Sequence, residues 1–404
     1  MKVLIIGGGA GGMMAALTAA EDPGNQVTLL ERQSRVGRKL LATGNGRCNL
    51  SNLHASAAHY HGRDPGFVGP ALERFSVDNT LEFFRSLGLL TVAEDSGRAY
   101  PFSDQANSVV DVLRFALDRR GVTVRCGCEI QSIGKKARGF TVKTAEEAFY
   151  ADKVIVACGG AAGGKLGGTD LGYKLLQSMG HHRTELKPSL VQLKTGGAIR
   201  SLKGVRADAG LTLKRDGKTV ARTAGEVQFT DFGVSGPAVF EISREAAQGG
   251  EQVLLLDLLR PWTEEDVAAL LMEKRQAAPE LPLEDFLTGM VHNRLGRVIL
   301  TGGGYDLSRT AGSLTDRELQ TISHLMKYFP LPVTGVLGFD QAQVTAGGML
   351  TAEFRPDTME SRLCPGLFAC GEVLDIDGDC GGYNLQWAWS SGRVAGRLGT
   401  WADT

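Results

Sequence analysis

The chain has 404 residues, of which 43% are hydrophobic and 22% charged, and its 44 basic and 45 acidic side chains leave a net charge of -1. This length predicts two or three domains, and the balanced charge excludes a protein that holds a polyanion by a global positive field. The seven cysteines contain no CxxC pair, so neither a disulfide framework nor a metal site is predicted. No stretch approaches about 20 apolar residues, and we expect a cytoplasmic protein with no membrane contact and no stable protein partner.

The amino terminus has the pattern of a strand, a glycine turn and a helix. An apolar run, Val3–Ile6, precedes Gly7, Gly9 and Gly12 in G-x-G-x-x-G spacing, and a helix-forming run follows over 13–20. In dinucleotide-binding folds such glycines permit the turn, the approach of a pyrophosphate and close helix packing. A signal peptide is the alternative, but glycine and alanine interrupt the apolar run.

A second strand, 27–30, ends at Glu31, nineteen residues after Gly12. In this fold an acid at that position binds the ribose hydroxyls of an adenosine, and it disfavours the 2′-phosphate of NADP. The fingerprint alone leaves FAD and NAD open.

The carboxy-terminal part favours a flavin. A strand over 366–370 ends in Gly371 and Glu372, and paired glycines at 381–382 precede a helical run over 384–398. A helix N-terminus at the flavin's N1–C2=O edge would stabilise the negative charge of reduced flavin. A third strand, 154–158, also runs into glycines. No second G-x-G-x-x-G occurs, so a nicotinamide would dock transiently, and the missing CxxC excludes the disulfide reductases.

Between these parts the pattern changes twice. Residues 189–257 are β-rich and contain a hairpin signal at Asp216-Gly217, whereas 263–328 has helical periodicity with a Thr cap at Thr263 and a second helix start at 314–318. We predict an α/β fold with a Rossmann-like FAD-binding domain of the two-dinucleotide-binding type, an inserted β-barrel-like domain and a small helical domain. The expected segments are 1–187 and 344–404 for FAD binding, 188–260 and 329–343 for the β-rich domain, and 261–328 for the helices.

Four long motifs carry a family resemblance over nearly the whole chain. They span 37–49 (GRKLLATGNGRCN), 98–103, 229–237 (FTDFGVSGP) and 344–396. With them the sequence resembles the HI0933-like family of bacterial flavoproteins, also known as NAD(P)/FAD-dependent or aminoacetone oxidase-like oxidoreductases. Position 100 is Tyr where Phe is expected. The resemblance implies the same three-part layout and FAD as cofactor.

Glycines, strand ends and the motif at 37–49 define the predicted cofactor site. The residues predicted to bind FAD are Gly7, Gly9, Ala10, Gly11, Gly12, Glu31, Arg32, Lys39, Thr43, Gly44, Asn45, Gly46, Arg47, Ala157, Gly159, Gly371, Glu372, Asp377, Gly382, Tyr383, Asn384 and Leu385. For Lys39 and Arg47, surface salt bridges are the alternative.

The catalytic candidate is Cys48, because the resemblance places its loop near the isoalloxazine ring and a thiol there could donate a proton; the alternative is a small packed residue. Substrate candidates are Arg98, Thr230 and Ser235, each of which also fits an ordinary turn. His54, His59 and His61 match no metal motif, and a polar loop explains them.

Three functions are compatible with these patterns. In the favoured one, NAD(P)H reduces FAD, which then reduces a carbon–carbon double bond conjugated to a carbonyl. The resemblance offers a uridine of large-subunit ribosomal RNA, which we favour, or a bile-acid enone. Basic residues at 200–218 could meet RNA phosphates or be solvated strand charges. The second function is an amine or aminoacetone oxidase that uses oxygen, and the third is a flavin-bound structural protein.

Overall fold

The computed structural model describes residues 1–196 and 199–400, and the chain divides into two compact units. The first consists of Met1–Lys187 together with the segment that begins at Gln343, and the second is Pro188–Ala342. None of the helices in the described ranges is long and apolar enough to cross a membrane.

The strands and helices follow one another in three stretches of the chain. The first stretch contains β1 (Lys2–Ile6), α1 (Ala10–Ala19), β2 (Gln26–Glu31), β3 (Ser51–Asn52), β4 (Tyr60–His61), α2 (Gly69–Arg74), α3 (Val77–Ser86), β5 (Thr91–Ala93), β6 (Arg98–Pro101), α4 (Ala106–Arg119), β7 (Thr123–Cys126), β8 (Ser132–Lys135), β9 (Phe140–Lys143), β10 (Ala148–Ala151), β11 (Lys153–Val156) and α5 (Leu171–Ser178). The second contains β12 (Lys187–Ser189), β13 (Leu193–Thr195), β14 (Arg206–Arg215), β15 (Lys218–Phe229), β16 (Gly233–Ser235), α6 (Pro237–Ala246), β17 (Gln252–Asp257), α7 (Glu264–Ala277), α8 (Leu283–Phe286), α9 (Asn293–Gly302), α10 (Asp316–Lys327) and β18 (Phe329–Val336). The third contains β19 (Val344–Ala346), β20 (Leu367–Ala369), β21 (Asp377–Gly378) and α11 (Tyr383–Gly396).

A five-stranded parallel sheet forms the centre of the first unit, in the order β20-β11-β1-β2-β7. Its middle strand, β1, is buried on both faces from Val3 to Ile6, which explains its continuous apolar run. The carboxyl ends of β1, β11 and β20 meet at one edge, because the strands are parallel. This arrangement confirms the predicted Rossmann-like fold.

Helices α1 and α11 pack backbone to backbone. A Cβ atom on Gly392 would lie 2.5 Å from the carbonyl oxygen of Gly11, and one on Gly396 would lie 2.6 Å from that of Ala15. Such an approach is open only to glycine. It holds the carboxy-terminal helix α11 directly against α1, the helix that follows the glycine turn.

Two tryptophan side chains of α11 anchor the helix to other parts of the first unit. Trp387 is 1% exposed and donates its ring N–H to the carbonyl oxygen of Gly371 at 3.1 Å. Trp389 is fully buried and donates to that of Leu50 at 2.9 Å. Burial of such large rings stabilises the unit, and the hydrogen bonds remove the cost of burying their N–H groups.

The second unit contains a closed barrel of six strands, in the order β13-β16-β15-β14-β17-β18. The predicted hairpin at Asp216-Gly217 joins β14 to β15, with φ angles of 49° and 78° at the two turn residues. Alternate residues of β14 and β17 face the barrel interior, and the helices α7 to α10 contribute Leu271, Phe286 and Ile322 to the same apolar core. The predicted β-barrel and helical parts are therefore both present and share one core.

The predicted helix starts in this unit are confirmed. The Thr263 hydroxyl accepts the N–H of Asp266 to begin α7, and the Thr315 hydroxyl accepts that of Glu318 to begin α10. Glu318 also pairs with Arg309 at 2.8 Å. These contacts, the Arg309 hydrogen bond first, lower the pKa of Glu318 from 4.5 to about 2.

Replacing Gly392 with Ala should loosen the contact between α1 and α11. The methyl group would meet a backbone oxygen that cannot move, so we expect the free energy of unfolding to fall by about 2 kcal/mol or more. Urea unfolding followed by far-UV circular dichroism measures it. Gly69→Ala is the control, since a Cβ there meets no atom within 4 Å. Equal effects of the two changes would contradict the packing argument.

Replacing Glu318 with Gln should destabilise the second unit by about 1 kcal/mol at pH 7. Because the folded-state pKa is lowered, the stabilisation by the carboxylate is present above pH 4.5 and is lost as the pH falls through about 2. Urea unfolding at pH 7 and at low pH should therefore show the two proteins converging in acid. Glu280→Gln, at an exposed position of the same unit, is the control. A difference that does not change with pH would refute this account.

Candidate active site

The glycine turn after β1 forms a cradle at the start of α1. A Cβ on Gly7 would lie 2.4 Å from the oxygen of Ala157, and one on Gly12 would lie 1.8 Å from that of Gly7, so both positions require glycine. A Cβ on Gly9 would meet no atom within 4 Å. Gly9 begins α1 with no side-chain cap, so the first N–H groups of the helix face open space, as a pyrophosphate requires.

Glu31 is held at the end of β2 by two main-chain donors. The N–H of Gly8 donates to one carboxylate oxygen at 2.7 Å, and that of Gln33 donates to the other at 2.6 Å. Each oxygen keeps a lone pair for a ribose hydroxyl. The neighbouring Arg32 donates to the carbonyl oxygen of Gly167 at 3.2 Å.

The loop over 43–48 carries a run of left-handed residues. Gly44, Asn45, Gly46 and Cys48 have φ angles of 57°, 56°, 89° and 62°. A Cβ on Gly46 would meet no atom within 4 Å, so the backbone there is also open. The main chain of the loop is therefore accessible at Gly46.

Cys48 lies beneath this loop and is fully buried. Burial raises the pKa of its thiol to about 11, so the thiol stays protonated at neutral pH. Its side chain is hydrogen-bonded to the hydroxyl of Thr43. Burial fits a packed residue and a protonated thiol fits a proton donor, so both interpretations of Cys48 stay open.

Lys39 and Arg47 have acidic partners in the chain. The Lys39 ammonium lies 2.8 Å from Glu372. Arg47 pairs with Glu94 at 3.2 Å and with Asp104, and its guanidinium lies 4.0 Å from the centre of the Tyr100 ring, at the position where Phe was expected. Cofactor contact by these two residues stays a prediction.

The start of α11 meets the loop that follows Cys48. Gly382 begins the helix with φ 103° and no side-chain cap, and a Cβ there would lie 2.3 Å from the oxygen of Ser51. The Asn384 amide binds the main chain of Gly378, accepting and donating at 2.8 Å. Asn384 therefore shapes the turn before the helix, and its contact with the cofactor stays a prediction.

The remaining predicted cofactor residues lie at strand ends or beside these turns. Gly371, with φ 75°, leaves open space where a Cβ would point, and a Cβ on Gly159 would meet only Glu372, at 3.9 Å. Ala157 follows β11, Asp377 begins β21 and is buried, and Tyr383 and Leu385 open α11. Ala10 and Gly11 begin α1.

Of the predicted substrate residues, Arg98 lies at the start of α11. Asn52, paired with Arg98 across β3 and β6, donates to the oxygen of Gly381 at 2.8 Å, and a Cβ on Gly381 would lie 3.0 Å from the Arg98 guanidinium. Thr230 and Ser235 belong to the second unit. There the Thr230 hydroxyl donates to and accepts from the main chain of Gly233 at 3.0 Å, which is the turn-forming role.

These features fit FAD, because two uncapped helix starts and a fixed carboxylate provide for phosphate, flavin edge and ribose. The model of the HI0933-like protein Rossmann domain matches residues 1–398. The chain belongs to the HI0933-like family. It is a flavin-dependent oxidoreductase, and FAD is its cofactor.

Several proteins resemble this HI0933-like chain over nearly its full length. A 3-dehydro-bile acid delta(4,6)-reductase of Clostridium scindens is 40% identical, covering 98% of both chains. A ribosomal RNA dihydrouridine synthase of Escherichia coli is 32% identical, covering 96% of this chain and 95% of the relative. The solved 3-ketosteroid delta1-dehydrogenase of Sterolibacterium denitrificans covers 98% of both chains with a TM-score of 0.51 and 13% identity, which shows a shared fold alone.

This HI0933-like structure also contains a charged cluster that the sequence did not reveal. His59 Nδ1 lies 2.9 Å and His61 Nε2 lies 2.7 Å from the two carboxylate oxygens of Asp379. The His-x-His spacing was visible in the sequence, but the acid lies 318 residues beyond His61. The cluster is next to the start of α11, because β4 pairs with β21.

Replacing Glu31 with Ala should weaken FAD binding by about 10- to 100-fold, since hydrogen bonds to a charged group each contribute about 1.5–3 kcal/mol. Titration of FAD-free protein, followed by quenching of flavin fluorescence, gives the dissociation constant. Glu31→Gln should weaken binding less. Glu129→Ala, at an exposed position of the same unit, is the control. Unchanged affinity in Glu31→Ala would show that the carboxylate does not bind the ribose.

Proposed function

We propose that this protein uses NAD(P)H to reduce FAD and then reduces a carbon–carbon double bond conjugated to a carbonyl group in a small-molecule enone. The observation that carries the proposal is the 40% identity, over 98% of both chains, to a protein named 3-dehydro-bile acid delta(4,6)-reductase. A substrate of steroid-like shape follows from that name.

The chemistry sets three tasks for the site. When bound, FAD supplies a hydride to the carbon β to the carbonyl. For this first task, the N–H groups at the start of α11 favour the negative charge that accompanies flavin reduction. Arg98, beside Gly381, is suited to bind the carbonyl oxygen or a carboxylate of the substrate. The third task, delivery of a proton to the α-carbon, needs a donor.

Charge in the second unit favours a small molecule over RNA. Between residues 188 and 342 acidic side chains outnumber basic ones. Three of the basic residues considered for RNA contact are ion-paired within this unit: Lys203 with Asp231, Arg206 with Glu226, and Arg215 with Glu245. A cation that already has an acidic partner gains less from a phosphate, so these side chains add little affinity for a polyanion.

Ribosomal RNA remains the second candidate substrate. Proteins named ribosomal RNA dihydrouridine synthase are 32% and 29% identical to this chain over 96% of its length. The reacting bond of uridine is likewise conjugated to a carbonyl, so the same flavin chemistry serves either substrate.

The decisive measurement is anaerobic absorbance of the FAD-loaded protein. We expect NADPH or NADH to bleach the flavin band, and a 3-oxo-4,6-diene bile acid to restore it with a product two hydrogens heavier by mass spectrometry. Restoration by a uridine-containing ribosomal RNA fragment alone would favour the second candidate. Bleaching by aminoacetone but by neither nicotinamide would replace the reductase with an amine oxidase.

A variant pair connects the activity to the site. Arg98→Gln should lower kcat/KM for the enone by about 10-fold, the loss of one charge-assisted hydrogen bond. Arg85→Gln, on the exposed side of α3, should leave it unchanged. Equal values for both variants would remove Arg98 from the proposed substrate site.

A further inference from the structure

The cluster of His59, His61 and Asp379 joins two imidazoles through one carboxylate. Each ring binds a different oxygen of Asp379, at 2.9 Å and 2.7 Å. The three side chains are 34%, 38% and 28% exposed, so solvent reaches all of them. Such an arrangement can hold a proton on either ring and exchange it with water.

The cluster is built onto the start of α11. The Asp379 N–H donates to the oxygen of His59 at 3.0 Å, and Asp379 stands three residues before Gly382. The His59 ring stacks on that of Tyr383, the first residue of the helix, with centroids 4.5 Å apart. A neighbour, Tyr60, donates its hydroxyl to the Tyr383 oxygen at 3.0 Å. His59 is therefore held next to the start of α11, the helix end that is expected to face the edge of the flavin.

A metal does not explain the cluster. In the described parts of the chain no group of three or more His, Cys, Asp or Glu side chains is arranged to hold a metal ion. The imidazole nitrogens instead point at the carboxylate. A purely structural role would not require that all three side chains remain open to solvent.

The carboxylate of Asp379 is the charged group at the centre of the cluster. Burial works to raise the pKa of Asp379, but the hydrogen bonds from His61 and His59 outweigh it, and the net pKa lies below its ordinary value. The carboxylate is therefore ionised at neutral pH and is hydrogen-bonded to both rings. The titratable groups next to the cluster include Tyr60 and Tyr383, Cys380, which follows Asp379, and Asp377, which pairs with His61.

We propose that His59 donates the proton that completes reduction of the substrate, with Asp379 as the positioning residue and His61 as the second imidazole that connects the cluster to solvent. This inference rests on the proposed function for the identity of the proton acceptor. The hydride forms a C–H bond at the β-carbon with its two electrons, and the π bond of the carbon–carbon double bond breaks. The proton from His59 then bonds to the α-carbon, and water returns a proton to the cluster.

The test compares two half-reactions of the FAD-loaded protein by anaerobic rapid mixing. In His59→Gln, reduction by NADPH should stay within about twofold of the wild type, whereas reoxidation by a 3-oxo-4,6-diene bile acid should slow by about 100-fold, the usual contribution of a general acid. Asp379→Asn should show a smaller loss. His182→Gln, which removes another histidine hydrogen-bonded to a carboxylate, is the matched control. Unchanged reoxidation in His59→Gln would overturn the proposal.

A second readout needs no substrate. Reduced flavin carries negative charge and should draw a proton onto a nearby cluster, so the flavin midpoint potential should fall more steeply with pH in the wild type than in His59→Gln, from about pH 6 to 8. Identical slopes would overturn the placement of the cluster beside the flavin. A steeper wild-type slope without any enone reduction would instead reject the proposed function and keep the cluster as the flavin's proton source. If His59→Gln does not retain FAD, Asp379→Asn is measured in its place, with the same criteria.

Discussion

The close contact between α1 and α11 is the constraint on which the site depends. Gly392 lies against the backbone of Gly11, so the helix that begins at Gly382 is locked to the helix that begins after Gly9. Both helices begin without a side-chain cap. Because the helices cannot shift along one another without a backbone clash, the spacing between a phosphate-binding end and a flavin-binding end is fixed by packing alone.

Around these two ends, the structure separates open backbone from side chains that already have partners. Gly9, Gly46 and Gly371 leave room where a side chain would stand, whereas the charged and amide groups of Lys39 and Asn384 are bound within the protein. A cofactor would therefore be held largely by main-chain donors, which are preorganised and need no rearrangement. The side chains considered for binding and proton transfer occupy a few positions next to these helix starts.

Those positions belong to segments that come together only at the start of α11. The strand β6 brings Arg98, and β4 brings the two histidines that flank Asp379. In the proposed function, Arg98 binds the substrate carbonyl and the histidine cluster supplies a proton, the two contributions that reduction of an enone needs beyond the hydride. The thiol of Cys48 is buried beneath the loop over 43–48, and its role as a proton donor stays a prediction.

Local sequence patterns predicted those structural elements that depend on interactions between residues close together in the chain. The glycine spacing at 7–12, the turn at Asp216-Gly217, the cap at Thr263 and the helix start at 314–318 each follow from nearby residues, and each appears in the structure as predicted. The tertiary structure decided which predicted side chains already had protein partners and which distant groups met. No nearby sequence pattern marks Asp379, because its partners His59 and His61 lie more than 300 residues earlier in the chain. The pairing of β4 with β21 brings these side chains together.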